Sequence, residues 1–219
     1  NSRVYILDEA GGIVYQKKRK IGVRDTAITG SRDTLKRGLV SIFQDIFSET
    51  GIREKDIRYC VTGGMITSEI GLIEIPHLVA PSGIYDLATN VQVVTDPSVL
   101  PLDFPFMFVP GVKNDYPKTG KFEAIRFMDF MRGEEIQSFG VLRKYPEISP
   151  PFTIIVLSSH TKYICIDKKE RIAGSITTLS GQIYEALKSS TSIGKSIQTG
   201  SLSASEDLLQ ESIAAAASV

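Results

Sequence analysis

The chain has little of several features that mark particular classes of protein. It contains no tryptophan, two cysteines and two histidines, and no uninterrupted apolar run long enough to cross a bilayer. Both cysteines, Cys60 and Cys165, lie inside strand-like apolar runs, which predicts buried thiols rather than a disulfide or a metal site. Buried thiols fit a reducing cytoplasm, and no basic-then-apolar leader opens the sequence.

Charge of either sign is balanced in the sequence. Lys and Arg together number 25, as do Asp and Glu, so no basic excess indicates nucleic acid or an anionic membrane as a partner. We therefore expect small-molecule partners. With 42% hydrophobic residues, the 219-residue chain can bury a sizeable core, as one large domain or two modest ones.

The stretch 152–187 is the most informative part of the sequence. Apolar runs at 152–157, 163–166 and 172–176 alternate with polar turns, and a helix-like segment begins near Gly181. This pattern predicts strand, polar turn, strand, turn, strand and helix. The turn at 158–161 is made of small hydroxylated residues and a histidine, and the exposed backbone N–H groups of such a turn can hold phosphate oxygens.

The start of the chain repeats this pattern at an offset of 159 residues. The offset places Thr161 on Ser2, Asp167 on Asp8 and Ile172 on Ile13, so both copies read hydroxyl, base, apolar run, aspartate, short turn and isoleucine. Such a repeat predicts two similar halves stacked about a cleft. A counterpart of residues 152–159 before the first copy is expected and is missing from the sequence.

Other elements follow from periodicity and turn residues. We predict a hairpin of 3–8 with 13–16 and a helix that is capped by Ser31 or Asp33 and ended by Gly51. Strands are expected at 57–61, 91–94 and 106–109. A loop at 189–203 and a final helix at 206–217 complete the prediction.

Two stretches are candidates for a ligand site. The loop 62–68 follows a predicted strand, and ligands often bind at that end of a strand in α/β sheets; a glycine turn with a helix cap at Thr67 or Ser68 is the alternative. Arg132 with Glu134 and Glu135 is the densest ionisable cluster. A carboxylate there is either a first-turn residue favoured by the helix dipole, or a general base or a ligand for sugar hydroxyls, with Arg132 pairing a substrate carboxylate.

Taken together, these motifs resemble the 2-dehydro-3-deoxygalactonokinase family. The resemblance covers residues 1 to about 194, and its most specific part is the M-R-G-E-E-x-Q stretch at 131–137. It also rests on G-G-M-I-T-S at 63–68, Pro-Gly at 110–111, S-H-T-K at 159–162 and T-L-S-G at 178–181.

The resemblance implies an α/β protein of the sugar-kinase and actin-like ATPase fold. In that fold two ribonuclease-H-like halves are hinged about an ATP cleft, here residues 1–150 and 151–219, with the second half incomplete. The sequence departs from the family in three places. It lacks the D-x-G-T-T-N turn of the first hairpin, it has Ser158-Ser159 where Pro-Gly is usual, and nothing after Gly200 resembles the adenine-binding segment.

The implied activity is transfer of the ATP γ-phosphoryl group to the 6-hydroxyl of 2-dehydro-3-deoxy-D-galactonate, with Mg²⁺, in galactonate catabolism. Glu134 would be the catalytic carboxylate, with Glu135 as the second choice, and Arg132 would pair with the substrate carboxylate. The sugar-acid loop would comprise Gly64, Met65, Thr67 and Ser68. Phosphate-binding residues would be Asn1, Ser2, Ser159, His160, Thr161, Lys162, Thr178 and Gly181, and no protein metal ligand is expected.

Two alternatives stay open at this point. The chain could be a sugar-acid sensor that kept the fold without the chemistry, or a kinase for another short sugar acid such as 2-dehydro-3-deoxy-D-gluconate. The Ala-rich last helix could also pack on a second copy to form a homodimer.

Overall fold

The computed structural model describes residues 2–196. Its helices and strands are, in chain order, β1 (Ser2–Leu7), β2 (Ile13–Arg19), α1 (Val23–Thr29), α2 (Asp33–Thr50), β3 (Cys60–Thr62), β4 (Leu78–Val79), α3 (Ile84–Thr89), β5 (Gln92–Val94), β6 (Phe106–Phe108), β7 (Val112–Lys113), β8 (Phe130–Met131), α4 (Glu134–Lys144), β9 (Phe152–Val156), β10 (Thr161–Ile166), β11 (Ile172–Thr178) and α5 (Ser180–Ser190). Short 3-10 helices occupy Glu54–Asp56, Met65–Thr67, Phe122–Phe127 and Ser192–Ser196.

In this part of the chain the strands form four small sheets. Strands β1 and β2 pair alone, and the three other sheets have the orders β11-β10-β9, β3-β6-β5 and β4-β7-β8. The pairs β3–β6 and β4–β7 are parallel, whereas the remaining pairs are antiparallel. The prediction of an α/β protein is confirmed at this level, as a mixed arrangement of helices and several small sheets.

The two predicted hairpins are confirmed, and they match each other in detail. Strand β10 begins and ends 159 residues after β1, and β11 begins and ends 159 residues after β2. Both hairpins also have a register shift at the same place, before Leu7 in the first and before Ile166 in the second. The repeat read from residue classes is therefore a repeat of backbone structure.

An aspartate shapes the turn of each hairpin in the same way. Oδ1 of Asp8 accepts hydrogen bonds from the backbone N–H groups of the second and fourth residues after it, at 3.0 and 2.8 Å. Asp167 does the same at 2.8 and 3.0 Å. The third residue after each aspartate has a positive φ, 83° at Gly11 and 58° at Glu170. The second turn thus has a glutamate at a position of positive φ where the first turn has glycine, the residue suited to that conformation.

Helix α2 supplies one face of the first core. Its apolar residues recur at helical spacing, as the sequence predicted, and Gly51 ends it in a left-handed conformation with φ of 72°. The ring of Phe43 packs edge-on against Phe104 at 5.4 Å between centroids. Buried residues of this core are Leu35, Leu39, Ile42, Phe43, Ile46, Leu72, Ile75, Leu100, Phe104, Phe106 and Phe108.

A second core crosses the predicted domain boundary at residue 150. Buried side chains of the last sheet, Ile164, Ile166 and Ile172, pack with residues from earlier in the chain, among them Val112 and Met131. Backbone hydrogen bonds between Ser82 and Ile172, at 3.0 and 2.9 Å, add to this contact. Hydrophobic burial therefore joins the start of the second predicted half to the first. The division into two domains stays a prediction.

Some expectations differ from the structure. Cys165 is exposed, so its assignment as a buried thiol was wrong; it lies on the outer face of β10, where side chains alternate. Cys60 is half-buried, and burial raises the pKa of its thiol to about 11. The strand expected at 57–61 is limited to Cys60–Thr62, and part of the expected loop 189–203 is helical, through Ser192–Ser196. The helix expected at 206–217 lies outside the described residues.

Two glycine substitutions distinguish the effect of backbone conformation on stability from the effect of the space available for a side chain. A Cβ on Gly11 or on Gly140, which lies inside α4, would meet nothing within 4 Å, yet Gly11 has a φ of 83°. We expect Gly11→Ala to lower the free energy of unfolding by about 1 kcal/mol and Gly140→Ala to raise it by about 1 kcal/mol. Urea unfolding measures both, and effects of the same sign would contradict the explanation.

Candidate active site

Two glycines bring the loop after β3 against the start of α4. Gly64 and Gly133 have positive φ, 86° and 111°, and a Cβ built on Gly133 would lie 3.3 Å from Cα of Gly64. A Cβ on Gly64 would lie 3.6 Å from the carbonyl oxygen of Arg132. The backbones are therefore in direct contact, and the structure places the predicted loop 62–68 beside the predicted Arg132 cluster.

Three strand ends converge on Arg132. Strands β4 and β7 are parallel and β8 runs antiparallel to β7, so the residues before β4 and β7 lie beside the residue after β8. These residues are His77, Gly111 and Arg132. A Cβ on Gly111 would lie 2.8 Å from both Cδ2 of His77 and Cγ of Arg132, so only glycine fits between them without displacing its neighbours.

The guanidinium of Arg132 is held by three partners. It donates to Oγ1 of the buried Thr67 at 2.8 Å and to the carbonyl oxygen of Ile75 at 2.8 Å, and it lies 3.3 Å from Nδ1 of His77. Two of its five N–H groups keep no partner within residues 2–196, and no carboxylate of that range lies within 4.0 Å. Burial lowers the pKa of Arg132, while Glu135 and Glu74 act in the opposite direction.

Glu134 and Glu135 both fold back onto the start of α4. Oε2 of the half-buried Glu134 accepts a hydrogen bond from the backbone N–H of Arg132 at 3.1 Å. Glu135 is fully buried, and both its carboxyl oxygens lie 2.8 Å from the backbone nitrogen of Gly133. Burial raises the pKa of Glu135 to about 7, and the charge of Glu134 adds to this, whereas the hydrogen bond from Gly133 opposes it. Glu134 is therefore the more accessible carboxylate.

His77 is the residue of this site that the sequence analysis did not select. A single histidine after a proline carries no sequence signal for a binding role. Its position beside Arg132 follows from the pairing of three short strands. Burial lowers the pKa of His77 to about 4, with the positive charges of Arg132 and Lys113 adding to the effect.

The remaining loop residues have local roles. Met65 is 46% exposed and begins the short helix Met65–Thr67, and its carbonyl oxygen accepts hydrogen bonds from both the hydroxyl and the backbone N–H of Ser68, at 2.6 and 3.1 Å. The hydroxyl of Thr67 donates to the carbonyl oxygen of Gly64 at 3.0 Å while it accepts from Arg132. The glycine turn with a short helix is thus present, and it also positions Thr67.

A second cluster forms where the 158–161 loop meets the start of α5. A Cβ on Gly181 would lie 2.2 Å from the carbonyl oxygen of Ser158, so glycine permits this contact. The backbone N–H of Gln182 donates to the carbonyl oxygen of Ser159 at 2.9 Å. The structure therefore brings Ser159 and Gly181 together, as the sequence predicted.

Hydroxyl groups line the same junction. The hydroxyl of Ser180 donates to Oγ1 of Thr161 at 2.9 Å and lies 3.1 Å from Oγ1 of Thr178. Ser159 and His160 are exposed, with Oγ and Nδ1 3.3 Å apart. In the first hairpin, the hydroxyl of Ser2 donates to the carbonyl oxygen of Ile21 at 2.9 Å. Asn1 lies outside the described residues.

The ammonium group of Lys162 is buried in a polar network. It donates to the carbonyl oxygen of Phe130 at 2.8 Å, lies 3.4 Å from each carboxylate oxygen of Asp129 and contacts the hydroxyl of Thr177. Asp129 also accepts hydrogen bonds from Ser175 at 2.5 Å and from Thr177 at 2.8 Å. This network ties the β10–β11 hairpin to β8, and a contact of Lys162 with phosphate stays a prediction.

Neither a metal cluster nor a membrane helix is found in residues 2–196. No group of three or more His, Cys, Asp and Glu side chains in that range could hold a metal ion. Within the same residues, no helix combines the length and the apolar character needed to cross a bilayer.

The raised pKa of Glu135 predicts a dependence of stability on pH. The carboxyl keeps its proton to a higher pH in the folded protein than in the unfolded chain, so between about pH 4.5 and 7 the folded state binds more protons. This contribution lowers the free energy of unfolding as pH rises, by about 3 kcal/mol at most. We expect Glu135→Gln to abolish it and Glu134→Gln to keep it, measured by urea unfolding across this range. An unchanged pH slope in Glu135→Gln would contradict the assignment.

The Lys162 network predicts a strong coupling. Lys162→Met leaves the Asp129 carboxylate buried without its ammonium partner, and we expect a loss of about 3 kcal/mol in the free energy of unfolding. Asp129→Asn added to Lys162→Met should restore part of this loss, with a coupling energy of about 1–3 kcal/mol in a double-mutant cycle. Additive losses would show that the two side chains do not form a buried pair.

Comparison with known proteins places this chain in a family. The sequence matches the family model described as 2-keto-3-deoxy-galactonokinase over residues 1–218. No curated protein matches the sequence. Among solved structures, a similar fold is that of a Sinorhizobium meliloti protein provisionally named a 2-dehydro-3-deoxygalactonokinase, with 17% identity and a TM-score of 0.65. The match covers 89% of this chain and 55% of that one, so the chain spans about half the length of that neighbour. The family model, which covers nearly the whole sequence, shows that this chain belongs to the 2-keto-3-deoxy-galactonokinase family.

Proposed function

We propose that the protein transfers the γ-phosphoryl group of ATP to the 6-hydroxyl of 2-dehydro-3-deoxy-D-galactonate. The observation that carries this proposal is the guanidinium of Arg132, which is half-buried, held by neutral partners and without a carboxylate within 4.0 Å in residues 2–196. A partly desolvated positive charge of this kind favours an anionic ligand. Membership of the family supports a sugar-acid kinase, and the substrate and the position of transfer are those that the resemblance implies.

The sugar acid would bind at the loop 62–68 with its carboxylate on an N–H group of Arg132 that has no partner within residues 2–196. Gly64, Met65 and Ser68 would line its sugar portion, since Gly64 touches the backbone of Arg132 and Met65 is exposed. Thr67 is fully buried, so its part is to orient the arginine.

Glu134 would accept the proton of the 6-hydroxyl. Its carboxylate is half-buried, and only Oε2 is used by a backbone N–H group in the described residues. Glu135 has a pKa of about 7, which suits a general base, but its carboxyl group is fully buried on the N–H of Gly133. We therefore assign the proton transfer to Glu134 and the fixing of the helix start to Glu135.

ATP would bind at the junction of the 158–161 loop and α5. Ser159, His160 and Thr161 would face the β- and γ-phosphates with Thr178 and Gly181, and Lys162 would support the loop from the buried network. Asn1 and Ser2 would contribute from the first hairpin. Mg²⁺ would bind together with the nucleotide, as in other phosphoryl-transfer enzymes.

The two matched hairpins support an arrangement of two ribonuclease-H-like halves about the nucleotide. In this proposal residues 1–150 carry the sugar-acid site and residues from 151 onward begin the second half. The reaction would take place in the cytoplasm, as a step of galactonate catabolism.

Steady-state phosphorylation of 2-dehydro-3-deoxy-D-galactonate tests these roles. Arg132→Met keeps the apolar stem of the side chain and removes the charge, so we expect the KM for the sugar acid to rise by about 10–100-fold. Glu134→Gln should lower kcat by about 100-fold or more. The matched controls are Arg126→Met and Glu123→Gln, which change exposed residues of the short helix Phe122–Phe127.

The outcomes separate the alternatives. A wild-type kcat in Glu134→Gln would remove its role as base, and an unchanged KM in Arg132→Met would remove the carboxylate contact. Binding of the sugar acid without ATP-dependent turnover would favour the sensor, and faster turnover of 2-dehydro-3-deoxy-D-gluconate would change the assigned epimer.

A further inference from the structure

His77 occupies a fixed position beside Arg132. Its ring packs edge-on against Phe130, at 5.5 Å between centroids and 65° between planes. On its other side Cδ2 lies against Gly111, where a Cβ would approach to 2.8 Å. The ring is therefore held by an aromatic side chain and by Gly111, the residue directly before β7.

The contact with Arg132 fixes which ring nitrogen of His77 carries a proton. Nη2 of Arg132 lies 3.3 Å from Nδ1 of His77. A guanidinium has only donors, so Nδ1 must accept, and the proton of the neutral ring is then on Nε2. The opposite tautomer would set two N–H groups against each other.

The surroundings of the ring keep it neutral. The charged groups that act on it are the guanidinium of Arg132 and the ammonium of Lys113, both positive. Together with burial they lower the pKa of His77 to about 4, so Nδ1 is a free acceptor at neutral pH.

Nε2 of His77 is buried and has no hydrogen-bond partner in the described residues. An unpartnered buried donor costs free energy, and in this orientation the His77 ring carries that cost at Nε2. The arrangement present satisfies one N–H of Arg132 instead. The orientation of the His77 ring therefore favours its contact with Arg132.

We propose that His77 is a positioning residue that acts as a neutral acceptor and aims the guanidinium of Arg132 at the loop 62–68, which sets the affinity for the carboxylate of the sugar acid. This proposal rests on the proposed function. It deepens that function, because it names what fixes the geometry of the anion-binding group.

Two substitutions distinguish a role of His77 as a hydrogen-bond acceptor from a role in packing alone. His77→Leu removes the acceptor, whereas His77→Asn places an oxygen the same number of bonds from Cα as Nδ1. We expect His77→Leu to raise the KM for 2-dehydro-3-deoxy-D-galactonate by about tenfold with the KM for ATP unchanged, and His77→Asn to recover most of this loss. Equal losses in both variants, or a matching change in the KM for ATP, would overturn the proposal.

A double-mutant cycle with Arg132→Met tests the route of the effect. If His77 acts through the arginine, His77→Leu raises the KM no further once Arg132 is methionine. If the KM of the double variant rises by the product of the two single increases, His77 acts independently of Arg132. An unchanged KM in Arg132→Met alone would remove the carboxylate contact and this proposal with it, whereas the absence of ATP-dependent turnover in the unsubstituted protein would overturn the proposed function.

The protonation state of the ring gives a readout that does not depend on activity. Nitrogen-15 NMR of the histidine rings reports the tautomer directly, and His160→Gln assigns the signals because the chain has only two histidines. We expect His77 to carry its proton on Nε2 at pH 7, and Arg132→Met to weaken that preference. A proton on Nδ1, or a charged ring, would overturn the proposal even if the kinetic effects were observed.

Discussion

The close approach of two glycine backbones is the contact on which the candidate site depends. Gly64 and Gly133 both have positive φ, and a Cβ on Gly133 would lie 3.3 Å from Cα of Gly64. Because neither residue has a side chain, the loop after β3 can lie directly on the start of α4. That contact lets the hydroxyl of Thr67 reach the guanidinium of Arg132 at 2.8 Å. A side chain on either glycine would move the loop away from the helix, and this bond would lengthen first. The chemistry of the site is thus set by backbone conformation as much as by charged side chains.

Phe130 joins the two polar clusters of the structure. Its carbonyl oxygen accepts a hydrogen bond from the buried Lys162, and its ring packs on His77. Lys162 follows the 158–161 loop directly, and Arg132 lies two residues after Phe130. A displacement of the second hairpin would therefore be transmitted through one strand to the arginine. Transfer of a phosphoryl group requires the donor and the acceptor to be aligned closely, and a direct connection between the two proposed binding regions serves that requirement.

Local patterns made much of this fold predictable, and contacts between distant residues made the rest unpredictable. The matched hairpins followed from residue classes repeated at one offset, and α2 followed from its apolar period and from Gly51. The positive φ of Glu170 was hidden, because glutamate is not a marker of that conformation. The pairing of Lys162 with Asp129 spans 33 residues, and the position of His77 depends on three short strands. Glu134, Glu135 and Arg132 were predicted as a group, since they are neighbours in sequence. The full burial of Glu135 and the greater accessibility of Glu134 were not predicted.

The ionisation of the groups around Arg132 bears on the proposed binding of an anion. His77 is neutral above about pH 4, and Glu135 is largely protonated below about pH 7. Between these limits the guanidinium keeps its positive charge while two of the groups closest to it carry none. Above pH 7 ionisation of Glu135 adds a negative charge in a region of low dielectric, and the attraction for a carboxylate ligand weakens. If Arg132 binds the substrate carboxylate as proposed, the burial that raises the pKa of Glu135 also favours that binding, because it keeps a neighbouring carboxyl group uncharged below about pH 7.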